Sequence, residues 1–134
     1  VVSDIDHFKH LNDRLGHEAG DRCLEIYADV LRDACRDSDL PARMGGEEFV
    51  IVLPGVGMRA GLSVAMRIRA YLADACRKAP APFTVSIGVA TRPDHGSNAE
   101  SVLRAADDAL YAAKEAGRDQ VVPARAVSAL NESA

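Results

Sequence analysis

The stretch Leu40-Pro41-Ala42-Arg43-Met44-Gly45-Gly46-Glu47-Glu48-Phe49-Val50-Ile51-Val52-Leu53 decides the class of fold. Both of its ends read as extended. One is the apolar run from Phe49 to Leu53; the other runs from Leu40 to Met44 and carries a proline suited to a strand start or a sheet edge. A glycine pair joins them, and glycine reaches positive φ without steric cost, so the stretch reads as a β-hairpin. A hairpin in mid-chain excludes a purely parallel sheet. It also sets Glu47 and Glu48 on a tight turn, where they either stay in water or hold something positive.

On the N-terminal side of the hairpin, Val1 to Ile5 reads as a strand. Phe8, Leu11 and Leu15 then repeat at helical spacing from His7 to Leu15, with Gly16 as a helix stop. A longer helix is expected from Gly20-Asp21, burying Leu24, Tyr27, Ala28, Leu31 and Cys35. On the C-terminal side, Pro54-Gly55 is a turn. A helix from Arg59 to Arg77 carries Val64, Ile68, Tyr71, Leu72 and Ala75 on one side, and Ala79-Pro80-Ala81-Pro82 breaks it. Phe83 to Ala90 alternates and is β-branched, as strands are. Ser97 and Glu100 form a capping-box pattern ahead of a helix that buries Leu103, Ala106, Leu110 and Ala113 and ends at Gly117. Gln120 to Val122 is a last short strand, and 124–134 has the weak pattern of a tail. The order β-α-α-β-β-α-β-α-β predicts an α/β protein of the α+β type, with one mixed, largely antiparallel five-stranded sheet flanked by helices.

Composition narrows the function. With 134 residues, 48% hydrophobic and 27% charged, the chain has the make-up of one globular domain. Aromatics at 4%, no Trp and a net charge of -4 argue against a nucleic-acid partner. Cys23, Cys35 and Cys76 are odd in number and form no C-x-x-C pair, so they read as small hydrophobes rather than a disulfide framework or zinc site. No apolar run reaches membrane-spanning length and no signal peptide is visible, so a cytoplasmic domain without membrane contact is expected. The abrupt start on Val1-Val2 suggests a domain excised from a longer protein.

Three carboxylates fall at element ends: Asp4 closing the first strand, Glu47 and Glu48 on the hairpin. They converge if that strand pairs beside the hairpin. Clustered carboxylates repel unless a cation or proton lies among them, and all-oxygen ligands suit Mg²⁺. Solvated turn acids are the competing reading. Phe8 and Lys9 open the first helix, where backbone N–H groups favour an anion. Lys114 and Arg118 lie at the end of the last helix, where cations are stabilising in any case.

Four blocks in order carry a resemblance: Asp4-Ile-Asp6-His-Phe8-Lys9-His-Leu-Asn12-Asp13-Arg-Leu-Gly16-His17-Glu-Ala-Gly20-Asp21, Met44-Gly-Gly-Glu-Glu-Phe49, Ser86-Ile-Gly-Val89, and Ala106-Asp-Asp-Ala-Leu-Tyr111-Ala-Ala-Lys114-Glu-Ala-Gly117-Arg118. Together they resemble the GGDEF domain of diguanylate cyclases, whose fold is like that of nucleotide cyclases and the polymerase palm. The resemblance places that domain at 1–123, without the helix and D-x-L-T-G-L-x-N-R-like stretch that usually precede the first strand. It implies condensation of two GTP into cyclic di-GMP with release of two pyrophosphates, across a homodimer controlled by an upstream sensory or receiver domain.

The same resemblance implies roles. Asp4, Glu47, Glu48 and the Ile5 carbonyl hold Mg²⁺, for which Mn²⁺ can substitute; Asp4, Glu47, Glu48 and Lys114 form the catalytic set. Phe8, Lys9, Lys114 and Arg118 cradle the phosphates, Asn12 and Asp21 read the guanine edge, and Gly45 and Gly46 let the nucleotide approach the backbone. Asp6 is expected in a structural or helix-capping role, Asp13 and His17 in structural ones. Arg36 and Asp39 form an R-x-x-D in the register of the family's inhibitory product site, with Arg67 as third arm. Since Arg104-Ala-Ala-Asp107 matches the same four-letter pattern, position relative to the hairpin is what singles out Arg36 and Asp39. Their local alternative is an i,i+3 ion pair. The rival function is a catalytically silent receptor for cyclic di-GMP.

Overall fold

The computed structural model describes residues 1–125. Its elements are β1 (Val2–Ile5), α1 (Phe8–Leu15), α2 (His17–Ala34), β2 (Leu40–Gly45), β3 (Glu48–Val52), α3 (Met58–Ala75), β4 (Val85–Val89), α4 (Ala99–Glu115) and β5 (Val121–Pro123), with a 3-10 turn at Cys76–Lys78 after α3. The strands form one sheet in the order β2-β3-β1-β4-β5. All neighbours are antiparallel except β4 and β5, which run parallel. This is the mixed, mostly antiparallel sheet expected, and β2, with Pro41, lies on its edge.

Period-two alternation sorts the sheet into two faces. Ile5, Phe49, Ile51, Val85 and Ile87 join the main core with α1, α2 and α3. The Tyr27 ring packs edge-on to Phe49 at 5.1 Å between centroids, and its buried hydroxyl donates to Ser3 Oγ at 2.7 Å. Among the described residues the other face carries only α4, whose Ala106 and Leu110 pack on Val2. Gly88 sets how closely α4 can lie: a Cβ there would stand 2.2 Å from the Ala106 carbonyl oxygen and 2.5 Å from the Leu110 nitrogen. The absent side chain lets the helix rest its backbone on β4, so that the last turn of α4 passes over the end of β1.

The structure corrects several local expectations. α2 begins at His17, with Gly20 buried inside it; Gly20-Asp21 is not its start. Tyr71 is 42% exposed, while Gly61, Val64, Ala65, Ile68 and Leu72 form the buried stripe of α3. β4 is shorter than Phe83–Ala90, and β5 sits one residue later than expected. The capping box at α4 is Asn98 with Ser101: Asn98 Oδ1 accepts the Ser101 N–H at 2.9 Å and Ser101 Oγ accepts the Asn98 N–H at 3.3 Å. Cys23 is buried within α2, but Cys35 and Cys76 are half-buried at helix ends. Of the tail expected at 124–134, residues 126–134 lie outside the described residues.

Candidate active site

The hairpin turn is narrow because Gly45 pairs directly with Glu48, leaving Gly46 and Glu47 to turn the chain. Gly46 has φ 52°, a region that costs a residue with a side chain. A bulge at Met44 adds twist just before the turn, and Arg43 Nε donates to the Gly46 carbonyl at 2.8 Å, tying the loop to its own strand. The Ile5 N–H donates to the Glu47 carbonyl at 3.2 Å, which ties the turn to β1. Nothing lies within 4 Å of where a Cβ would stand on Gly45 or Gly46, so the space over the turn is open.

In the centre of the sheet, Asp4 pairs with Glu48 on one side and with Ser86 on the other. Residues directly opposite in antiparallel strands point the same way, so Asp4 and Glu48 share the face that α4 covers. Lys114, in the last turn of α4, donates from Nζ to Asp4 Oδ2 at 2.7 Å. That single cation does not compensate the acids around it. Burial pushes the Asp4 carboxyl up, Lys114 opposes it, and the charges of Glu47 and Asp6 add to the rise. Glu48 is raised as well, by burial first and then by Asp107 and Asp4. Among the described residues no three carboxylates converge closely enough to form a ready-made ion cage.

Asp6, whose charge reaches Asp4, has hydrogen-bond partners of its own. Its Oδ1 accepts from Ser86 Oγ at 2.6 Å, and its Oδ2 from Thr84 Oγ1 at 2.6 Å and from the Asp119 N–H at 3.0 Å. The structural role expected of it is what these bonds describe, whereas α1 has His7 at its N-cap without a side-chain cap. Asp13 and His17 are exposed, and neither side chain hydrogen-bonds another described residue.

α1 runs from the end of β1 with its N-terminus beside Asp6. Phe8 buries its ring in the core, so what it offers to a ligand is its backbone N–H; Lys9 is exposed beside it. One turn on, Asn12 lies against α2. Its Oδ1 is buried without a hydrogen-bond partner, and a Cβ on Gly20 would lie 1.7 Å from it. Gly20 therefore makes room for the Asn12 amide, and an orphaned buried polar atom is a costly feature that a ligand can relieve. Asp21, the next residue, is exposed. The role of Gly20 could have been suspected from a glycine inside a helix.

Beyond α4, Gly117, Arg118 and Asp119 have φ 117°, 64° and 48°, and Arg118 is exposed with no ion pair among the described residues. Asp107 on α4, not singled out from sequence, adds charge to the Glu48 neighbourhood.

The second predicted cluster lies at the other end of the hairpin. Arg36 clasps Asp39: Nη2 to Oδ1 at 2.8 Å, Nε to Oδ1 at 3.2 Å, and the Arg36 N–H to Oδ2 at 2.8 Å. Arg36 Nη2 also donates to the Pro54 carbonyl at 3.1 Å, while Arg67 donates to the Ala34 carbonyl at the end of α2. The i,i+3 ion pair is thus present, with half of the Arg36 side chain in solvent and that of Asp39 out of it. An apolar cavity of about 580 Å³ borders Val2, Val50, Val52, Leu103 and Ala106 but none of the charged residues of either cluster.

The chain is similar to known proteins over most of its length. The family model described as "Diguanylate cyclase, GGDEF domain" matches residues 1–120. Diguanylate cyclase DgcP of Pseudomonas aeruginosa is 46% identical over 125 residues, covering 90% of this chain and 18% of that protein. The GGDEF domain of YfiN (TpbB) from the same organism has a TM-score of 0.84 and 36% identity, covering 92% of this chain and 80% of that one. The GGDEF domain of DgcB from Caulobacter crescentus, solved in complex with c-di-GMP, has a TM-score of 0.82 and 34% identity, covering 91% and 74%.

Proposed function

The chain belongs to the GGDEF-domain family of diguanylate cyclases, and we propose that it condenses two GTP into cyclic di-GMP, releasing two pyrophosphates. The carrying observation is the under-compensated acid group at the end of the sheet: Asp4 and Glu48 side by side, Glu47 on the turn, and one ammonium at 2.7 Å. Carboxylates pushed up by burial and by one another are the environment a divalent cation relieves, and their all-oxygen chemistry fits Mg²⁺ or Mn²⁺. Asp4, Glu47, Glu48 and the Ile5 carbonyl are the proposed ligands. Magnesium bound there supplies a more acidic 3′-hydroxyl and neutralises the departing pyrophosphate.

The protein's own groups do the rest. Lys9, Arg118 and the backbone at the start of α1 receive the β- and γ-phosphates, and Lys114, held by Asp4, brings a positive charge between acids and phosphates. Asn12 and Asp21 are the proposed readers of the guanine edge, with the exposed Asp21 carboxylate accepting from the N1–H and 2-amino donors that adenine lacks. The open space over Gly45 and Gly46 lets the nucleotide lie against the backbone.

One chain supplies one half of the reaction. Each bound GTP must attack the other, so a two-fold homodimer is the catalytic unit, with dimerisation governed by an upstream sensory or receiver domain. The chain spans under a fifth of DgcP, which leaves length for such a module in proteins of this kind. Arg36, Asp39 and Arg67 are the proposed product-inhibition site: the clasp presents a half-exposed guanidinium, suited to phosphate and to the guanine Hoogsteen edge. A cytoplasmic location, where GTP is found, goes with this reading.

The test is chromatographic product analysis with GTP and Mg²⁺ on a deliberately dimerised form. Cyclic di-GMP is the expected product; its absence, with cyclic di-GMP still binding, would make the domain a silent receptor. Replacing Asp21 with Ser should lower the preference for GTP over ATP by about tenfold, and unchanged selectivity would remove Asp21 from the base site.

A further inference from the structure

The loop that carries Arg118 is held in a conformation its own residues disfavour. After Gly117, Arg118 and Asp119 have φ 64° and 48°, two consecutive left-handed residues, each with a side chain. Such backbone persists only where the surroundings over-determine it. Here the surroundings are specific. From below, Asp6 at the end of β1 accepts the Asp119 N–H at 3.0 Å. From the side, Arg69 on α3 reaches across with Nη2 and donates at 2.8 Å both to the Asp119 carbonyl and to its carboxylate. Asp119 thus has its N–H, its C=O and its side chain all engaged.

Arg69 is committed to this task. Only 30% of its side chain is exposed, its Nε is buried without a partner, and its directed contacts among the described residues all go to Asp119. A solvent-facing ion pair alone would contribute little. A guanidinium bridging a backbone carbonyl and a carboxylate of the same residue instead fixes that residue's backbone.

We propose that Arg69 is a positioning residue for phosphate recognition: by bracketing Asp119 against Asp6 it sets the backbone from which Arg118 meets the triphosphate. Arg69 itself need not touch the nucleotide. This rests on the reading of Arg118 as a phosphate ligand, and α3 thereby joins the substrate site as well as bearing Arg67 two residues earlier.

The test is a double-mutant cycle on the intact protein with guanosine 5′-[α,β-methylene]triphosphate and Mg²⁺ as probe and GMP as control. Arg69→Ala should weaken binding of the triphosphate by about tenfold while leaving GMP unchanged, and should cause no further loss in an Arg118→Ala background. Asp119→Asn, which keeps the carbonyl acceptor and a residue tolerant of left-handed φ, should weaken the triphosphate about threefold. Equal losses for triphosphate and GMP, or Arg69 and Arg118 effects that simply add, would overturn the positioning role. Unchanged triphosphate binding in Arg118→Ala would instead overturn the phosphate reading beneath it.

Discussion

Asp4 and Asp39 are nearly equally buried, 8% and 5% exposed, and each has a cation within 2.8 Å. Yet their carboxyls move in opposite directions. Asp39 is held below the usual carboxylate range, chiefly by the hydrogen-bonded Arg36 guanidinium, with the Arg36 N–H and the charge of Arg67 assisting. Asp4 is raised, because burial outweighs its one ammonium and because Glu47 and Asp6 lie close. Burial is the larger influence at Asp4 and the Arg36 guanidinium the larger at Asp39, and the company each acid keeps adds to that contrast. At the Arg36 clasp the donors satisfy the acid; at the sheet end the acids outnumber the cation, which is the imbalance the proposed metal would relieve.

The two regions should come apart under mutation. The largest effect is expected for Glu47→Gln: loss of cyclic di-GMP synthesis by about a thousandfold, with product affinity at Arg36 retained in calorimetry. Continued turnover would remove the hairpin from the metal site. Next comes Arg36→Ala, which should raise the product concentration for half-inhibition about tenfold and leave initial rates intact. Inhibition unaltered in that variant would reduce the clasp to a helix-end ion pair.

Smaller, and of opposite sign at the two sites, are the effects on stability. Asp39→Asn should lower the melting temperature at pH 7 on the order of 5 °C, since a lowered carboxyl contributes stability above its ordinary value of 3.8 and loses it as pH falls through the lowered one. Glu48→Gln should raise stability at pH 7 by about 0.5 kcal/mol. Its carboxyl is raised, so the folded chain keeps a proton that the unfolded chain gives up, and stability is lost as pH climbs from the ordinary 4.5. The gain from Gln should therefore vanish below that pH. Thermal melts of both variants from pH 3 to 8 decide the matter; shifts of the same sign would break the contrast.

Much of this was legible along the chain, because short-range chemistry wrote it there. The glycine pair between extended runs specified the hairpin, the element order specified a mixed sheet, and acids at element ends marked the site. Errors fell where neighbouring residues offer equivalent local chemistry. Asn98 with Ser101 caps α4 as readily as Ser97 with Glu100 would have, and the observed cap lies one residue further along without changing which residues face the sheet. Likewise Tyr71 lies beside Leu72, and only packing against α2 and β4 says which turns inward.

The sequence by itself determined the hairpin, the order of strands and helices, the family and the residue types at the site, all of which depend on contacts a few residues apart or on blocks kept in order. Only the tertiary structure decided which charges meet. Lys114 reaches Asp4 across 110 residues, Arg69 reaches Asp119 across 50, and Thr84 and Ser86 donate to Asp6 across 78 and 80. Those encounters follow from the two faces of one sheet and from the closeness that Gly88 allows α4, because a side chain's partner is set by where packing carries its backbone and not by its neighbours in sequence.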